Sequence, residues 1–101
     1  MAVVSMMRMS GDTDELMAKL QPIMEIGRKL APGHGGLASM VARTDDGILA
    51  INLWENEEGR QAMAQEPAVL EALSSAGLPA PAFEGYEIAW IAVRPEAVRE
   101  G

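Results

Sequence analysis

Two β-compatible runs, Leu37 to Thr44 and Ile48 to Trp54, flank the tripeptide Asp45-Asp46-Gly47, and this arrangement limits what the chain can become. Glycine tolerates positive φ and closes tight turns, so the tripeptide predicts an antiparallel hairpin between the two runs. The rest of the chain has to be placed around that hairpin. Before it, Ala2 to Met9 is apolar on both alternating sets, Val3/Ser5/Met7/Met9 and Val4/Met6/Arg8, as expected of an interior strand covered on two faces. After it, Tyr86 to Val93 alternates well enough to form a fourth strand.

Helical spacing fills the intervals. Asp12 followed three positions later by Glu15 has the form of a capping pair, and Leu16, Met17, Leu20, Met24, Gly27 and Leu30 recur at three- and four-residue steps. Pro22 removes one intrahelical bond and is expected to bend or split this helix, which stops at APGHGG, residues 31 to 36. Asn56 is a cap for a second helix whose first turn holds Glu57 and Glu58. Pro67 is expected to interrupt and restart that helix, and Gly77 to end it.

The predicted order is strand, helix, strand, strand, helix, strand. Right-handed crossovers around a hairpin then give a ferredoxin-like α+β fold, βαββαβ, with a four-stranded antiparallel sheet and both helices on one face. Residues 1–95 form one domain in this reading, with a frayed polar tail over 96–101. One sheet face is left uncovered. Because both sets on strands one and three are largely apolar, a second copy of the chain is the simplest cover, giving a homodimer.

Composition removes several function classes. Fifteen acidic against eight basic residues give a formal charge of −7, which disfavours nucleic acid and anionic membrane surfaces as partners. There is no cysteine, hence no disulfide, thiol nucleophile or thiolate metal site. The N-terminal MAVVSMMRMS does not have the form of a signal peptide, no run approaches the roughly 20 apolar residues of a membrane span, and a cytoplasmic location is expected.

Sorting the strands by alternation gives two faces. One set, Val4, Met6, Ala38, Met40, Ala42, Leu49, Ile51, Leu53, Ala89, Ile91 and Val93, is aliphatic and suited to packing under helices. The other, Ser5, Met7, Met9, Ser39, Val41, Arg43, Ile48, Asn52, Trp54, Tyr86, Ile88 and Trp90, combines apolar surface with an amide, a guanidinium and three of the four aromatic residues, the usual form of a ligand pocket.

The stretch Leu53-Trp54-Glu55-Asn56-Glu57-Glu58-Gly59, followed by Pro67 and Leu70, resembles the third strand and second helix of the antibiotic-biosynthesis-monooxygenase-like proteins of the dimeric α+β barrel superfamily. The resemblance spans residues 2 to about 94. It implies a homodimer with two sheets face to face and a pocket between each sheet and its helices or the partner's edge. Members include cofactor-free oxygenases of aromatic polyketides, haem-degrading enzymes, isomerases and cyclases. Many carry a histidine nine residues after the Trp and another beside the helix-breaking Pro; Met63 and Ala68 occupy those positions here. A haem ligand or imidazole base on helix two is therefore not expected, nor is any metal or cofactor.

The resemblance implies a small cofactor-independent monooxygenase-like enzyme acting on a hydrophobic aromatic or polyketide-like molecule. A non-catalytic binding or dimerisation module of the same fold is the other reading. In the enzyme, Asn52 and Trp54 hold or polarise a ring oxygen, and Tyr86 or His34, the one histidine, handles a proton. Met7, Ser39, Arg43 and Trp90 line the substrate. Several of these residues also have a plainer role: Asn52 in a buried hydrogen bond across the dimer, Trp54 as core, Tyr86 and Trp90 at a dimer seam, His34 in an exposed turn and Arg43 as a solvated charge.

Overall fold

The computed structural model describes residues 1–78, 82–92 and 94. In chain order the elements are β1 (Val3–Ser10), α1 (Thr13–Leu30), a 3-10 turn (Ala31–His34), β2 (Gly36–Thr44), β3 (Gly47–Trp54), α2 (Glu57–Ala64), α3 (Pro67–Ser75) and β4 (Glu84–Glu87). The sheet runs β2-β3-β1-β4 with every neighbouring pair antiparallel. This is the ferredoxin-like order, in which the hairpin strand β3 lies between β2 and β1. The expected tail over 96–101 falls outside the described residues.

Local chemistry sets the element ends. The Asp12 carboxylate accepts the Glu15 amide at 2.9 Å and starts α1, and the Asn56 carbonyl accepts the Gly59 amide at 2.8 Å and starts α2. Pro67 opens α3 after a break at Gln65 and Glu66. Pro22 does not split its helix: α1 continues through it to Leu30, and the proline is solvent-exposed. The hairpin is tied to the β1–α1 corner by the Gly11 amide on the Asp46 carbonyl at 2.8 Å and by the Thr13 hydroxyl on the Gly47 carbonyl at 2.9 Å. Gly47 lets the hairpin close onto β1, because a Cβ there would overlap the Met9 carbonyl.

The expected assignment of the two faces is corrected. The helices cover the set holding Ser5, Met7, Met9, Ile48 and Trp54, which is buried against α1, α2 and α3, whereas the aliphatic set was expected there. The aliphatic set faces away, with Met40 53% exposed and Ala38 and Ala42 also open. Both sets are apolar enough to pack, so hydropathy did not separate them. On the helix side the strand residues Ile48, Trp54, Met7 and Met9 pack against the three helices.

Strand four is also displaced. It spans Glu84–Glu87, with Tyr86 opposite Val4, so Tyr86 lies on the uncovered face and not beside Asn52. The ladder ends with the Ile88 amide on the Ala2 carbonyl at 2.9 Å, just outside the first residue of β1. Trp90 therefore lies outside the sheet, 82% exposed.

We expect Gly47→Ala to lower the unfolding free energy by about 1–3 kcal/mol through the forced shift at Met9. Gly33→Ala, where an added Cβ meets nothing within 4 Å, stays within about 1 kcal/mol of wild type. Urea midpoints compare the two, and equal losses would contradict this account of the hairpin.

Candidate ligand site on the helix-facing side of the sheet

Asn52 on β3 is paired with Ser5 on β1 and with Ser39 on β2. On β4 the position opposite Ser5 is Gly85, and a Cβ built there would lie 3.6 Å from Arg60 Nε. The Arg60 guanidinium therefore lies beside Gly85, and Glu57 fixes it through bonds of 2.9 and 3.0 Å to Nε. A polar row, Ser39, Asn52, Ser5 and Arg60 beside Gly85, crosses all four strands on the helix-facing side, with its Ser39 end exposed. On one side of it lie Val3, Trp54 and Met63; on the other lie Met7, Met9, Ile48, Leu16 and Leu20.

The members of the row differ in what they have free. Ser5 is 1% exposed, and its hydroxyl oxygen accepts the Trp54 indole N–H at 3.1 Å. A buried polar group needs such a partner, and this bond satisfies both residues. It also occupies the one donor that Trp54 has, so Trp54, 6% exposed, is a packed wall rather than a donor to a ligand. Asn52 is half-buried. Its carbonyl accepts the Ser39 hydroxyl at 2.6 Å, and its amide N–H₂ has no hydrogen-bond partner among the described residues. Two amide donors between apolar flanks are suited to an oxygen acceptor on an otherwise apolar ligand.

The other expected site residues are elsewhere. Met7 belongs to the core cluster two positions along the face from Ser5. Arg43 binds Asp14 at 2.7 Å at the exposed hairpin end. His34 Nε2 lies 3.3 Å from a Glu66 carboxylate oxygen, joining the 3-10 turn to the α2–α3 junction. Tyr86, 54% exposed on the far face, donates its hydroxyl to Glu84 at 3.1 Å. That carboxylate raises the phenol above its usual range and keeps the proton on it. The sheet separates Tyr86 from Asn52.

Among the described residues, two of the surface grooves are well defined. One, about 580 Å³, runs between the start of α2 (Asn56, Glu57, Glu58) and β4 (Gly85, Tyr86, Glu87). The other, about 300 Å³, lies among Leu70, Leu73, Ser74 and Leu78. Neither is lined by Asn52 or Trp54.

Sequence reading did not single out Ser5, Gly85 or Arg60. Ser5 carried a signal, being the polar residue within the apolar run Ala2 to Met7. The Gly85–Arg60 fit joins residues distant in sequence and had none.

An antiparallel sheet of this order with its helices on one face is a ferredoxin-like α+β fold, and it is the fold of the antibiotic biosynthesis monooxygenase-like proteins. A Chloroflexus aurantiacus structure assigned to those monooxygenases is similar with a TM-score of 0.68 at 18% identity, over 92% of this chain and 98% of that one. An asparagine variant of SnoaB, a cofactor-independent oxygenase from Streptomyces nogalater, gives 0.65 at 17% identity over 89% and 95%. Rv0793 from Mycobacterium tuberculosis gives 0.67 at 13% identity over 92% and 100%. Neither a protein-family model nor a curated protein matches the chain. No helix among the described residues is long and apolar enough to cross a membrane.

Removing the acceptor in Ser5→Ala leaves a buried indole N–H unpaired, and we expect it to cost about 1–3 kcal/mol. A Trp90→Phe background makes tryptophan fluorescence report Trp54 alone; a shifted emission with lowered stability is the expected result. A separate expectation concerns Glu57, whose hydrogen bond from Arg60 holds its carboxyl below the usual glutamate range. A lowered folded pKa stabilises above the unfolded value and is lost as pH falls through the folded one. Carbon-13 carboxyl titration should show a depressed Glu57 midpoint that rises toward normal in Arg60→Ala.

Proposed function

We propose that the protein is a small cofactor-independent monooxygenase-like enzyme that acts on an aromatic or polyketide-like molecule, with Asn52 as the residue that binds the reacting ring's oxygen. The observation that carries this reading is the half-buried Asn52 amide, whose carbonyl is occupied by Ser39 while its N–H donors are unpartnered among the described residues. Donors held in place stabilise an oxygen as negative charge develops on it, in the manner of an oxyanion hole. An anthrone-like substrate ionises to an enolate bound through that oxygen. The electron-rich ring carbon then reduces dioxygen and forms a carbon–oxygen bond, and loss of water from the hydroperoxide leaves a ketone. Overall a CH₂ group and O₂ become C=O and H₂O, with the electrons supplied by the substrate. SnoaB, a structural neighbour, is a cofactor-independent oxygenase, which supports the reaction class at the level of fold.

The protein acts as a homodimer in this reading. Met6, Met40, Leu49, Ile51 and Leu53 share the face without helices, and an apolar face of this kind is unusual on a soluble monomer. Tyr86 and Trp90 then belong to the dimer seam, and His34 and Arg43 to the scaffold.

A second reading, a non-catalytic binding or dimerisation module, is favoured by one specific feature: both grooves lie away from Asn52 and Trp54. Oxygen uptake with a panel of hydroquinones and anthrones separates the two. We expect turnover by wild type, a loss of about tenfold or more in kcat/KM for Asn52→Ala, as for removal of an oxyanion donor, and a smaller loss for Trp54→Phe. Equal inactivity of all three leaves the binding module. Light scattering at micromolar concentration should report a dimer, and Ile51→Glu should shift it toward monomer.

A further inference from the structure

Ser39 occupies the β2 position directly opposite Asn52, and its hydroxyl donates to Asn52 Oδ1 at 2.6 Å, at the short end for an O–H···O bond. An asparagine amide is planar and can present either a carbonyl or an N–H₂ group to a ligand, depending on how it is turned. On a β-sheet, side chains stand roughly perpendicular to the strands, so an amide whose oxygen is engaged toward β2 directs its nitrogen away from β2. We infer that Ser39 is a positioning residue: it fixes the Asn52 side chain so that N–H donors, and not the carbonyl, face the ligand. Its significance for catalysis rests on the reading of Asn52 given above. The consequence is a choice of ligand chemistry. A site that offers donors takes a phenol, phenolate or enolate oxygen and discriminates against a ring whose only polar groups are N–H donors, because those would leave the Asn52 donors unpaired.

Nothing else among the described residues does this job. Ser5 has its oxygen engaged by Trp54, and the Asn52 side chain has no other hydrogen bond among the described residues. Ser39 is exposed and lies on the edge strand β2, so a threonine fits there with its hydroxyl retained, and alanine removes the hydroxyl without opening a cavity.

The test uses protein labelled with nitrogen-15 at asparagine. Only Asn52 and Asn56 occur in the chain, so the side-chain amide of each is read without ambiguity. In the ligand-free protein we expect the Asn52 amide to be rigid by heteronuclear NOE in wild type and Ser39→Thr, and mobile in Ser39→Ala, with Asn56 unchanged throughout. Calorimetric titration with 1-naphthol should give affinities that agree within about twofold for wild type and Ser39→Thr and fall about five- to tenfold for Ser39→Ala. An Asn52 amide equally rigid in Ser39→Ala overturns the inference, whatever the affinities. If Ser39→Ala loosens Asn52 but wild type fails to bind 1-naphthol, the positioning role stands and the functional reading of Asn52 fails.

Discussion

The pairing of β1 with β3 underlies every other feature of the molecule. Its register sets Val3 against Trp54, Ser5 against Asn52 and Met9 against Ile48. In a β-sheet the side-chain period is two, so a slip of one residue would carry Trp54 to the face opposite Ser5. The hydrogen bond between the Trp54 indole and Ser5 penalises that slip, since each partner buried alone costs about 1–3 kcal/mol. The hairpin at Asp45-Asp46-Gly47 acts in the same direction from the other end, with Gly47 packed against the Met9 carbonyl. A turn and a buried polar pair together decide which face Asn52 occupies.

Once that face is decided, the sheet divides its labour. The helix side holds two apolar clusters with a polar row between them, and the far side holds an aliphatic surface with Tyr86 at its edge. An aliphatic row in place of Ser39, Asn52 and Ser5 would pack at least as well, because buried polar groups stabilise only to the extent that they are satisfied. Ser5 is explained by Trp54. Asn52, whose donors have no partner among the described residues, is not explained by packing, and this is why it carries the functional reading.

The parts of the fold that could be read from the sequence are those set by local chemistry. Asp12, Asn56, Pro67 and the Asp45-Asp46-Gly47 turn each act within a few residues of themselves, and each element they mark is in place. Pro22 lies within α1 without splitting it, at the loss of one intrahelical hydrogen bond. The assignment of faces was not legible from hydropathy, because both alternating sets are apolar. Strand four was misplaced because the alternation of Tyr86, Ile88 and Trp90 says nothing about where β1 begins. Of the site, Asn52, Ser39 and Trp54 were legible as neighbours on one face. Tyr86 was lost to the register of β4, and Ser5's hold on Trp54 and Arg60's place over Gly85 emerge only when distant segments meet.

The central claim is that the Asn52 amide binds a ligand oxygen, and a crystal structure with a bound anthrone-class ligand tests it most directly. The account predicts a ring oxygen within about 3.2 Å of Asn52 Nδ2, with the ring between the sheet and the helices and the Trp54–Ser5 bond intact. A ligand seated in the groove between α2 and β4, or on the aliphatic outer face, with Asn52 untouched, would contradict it.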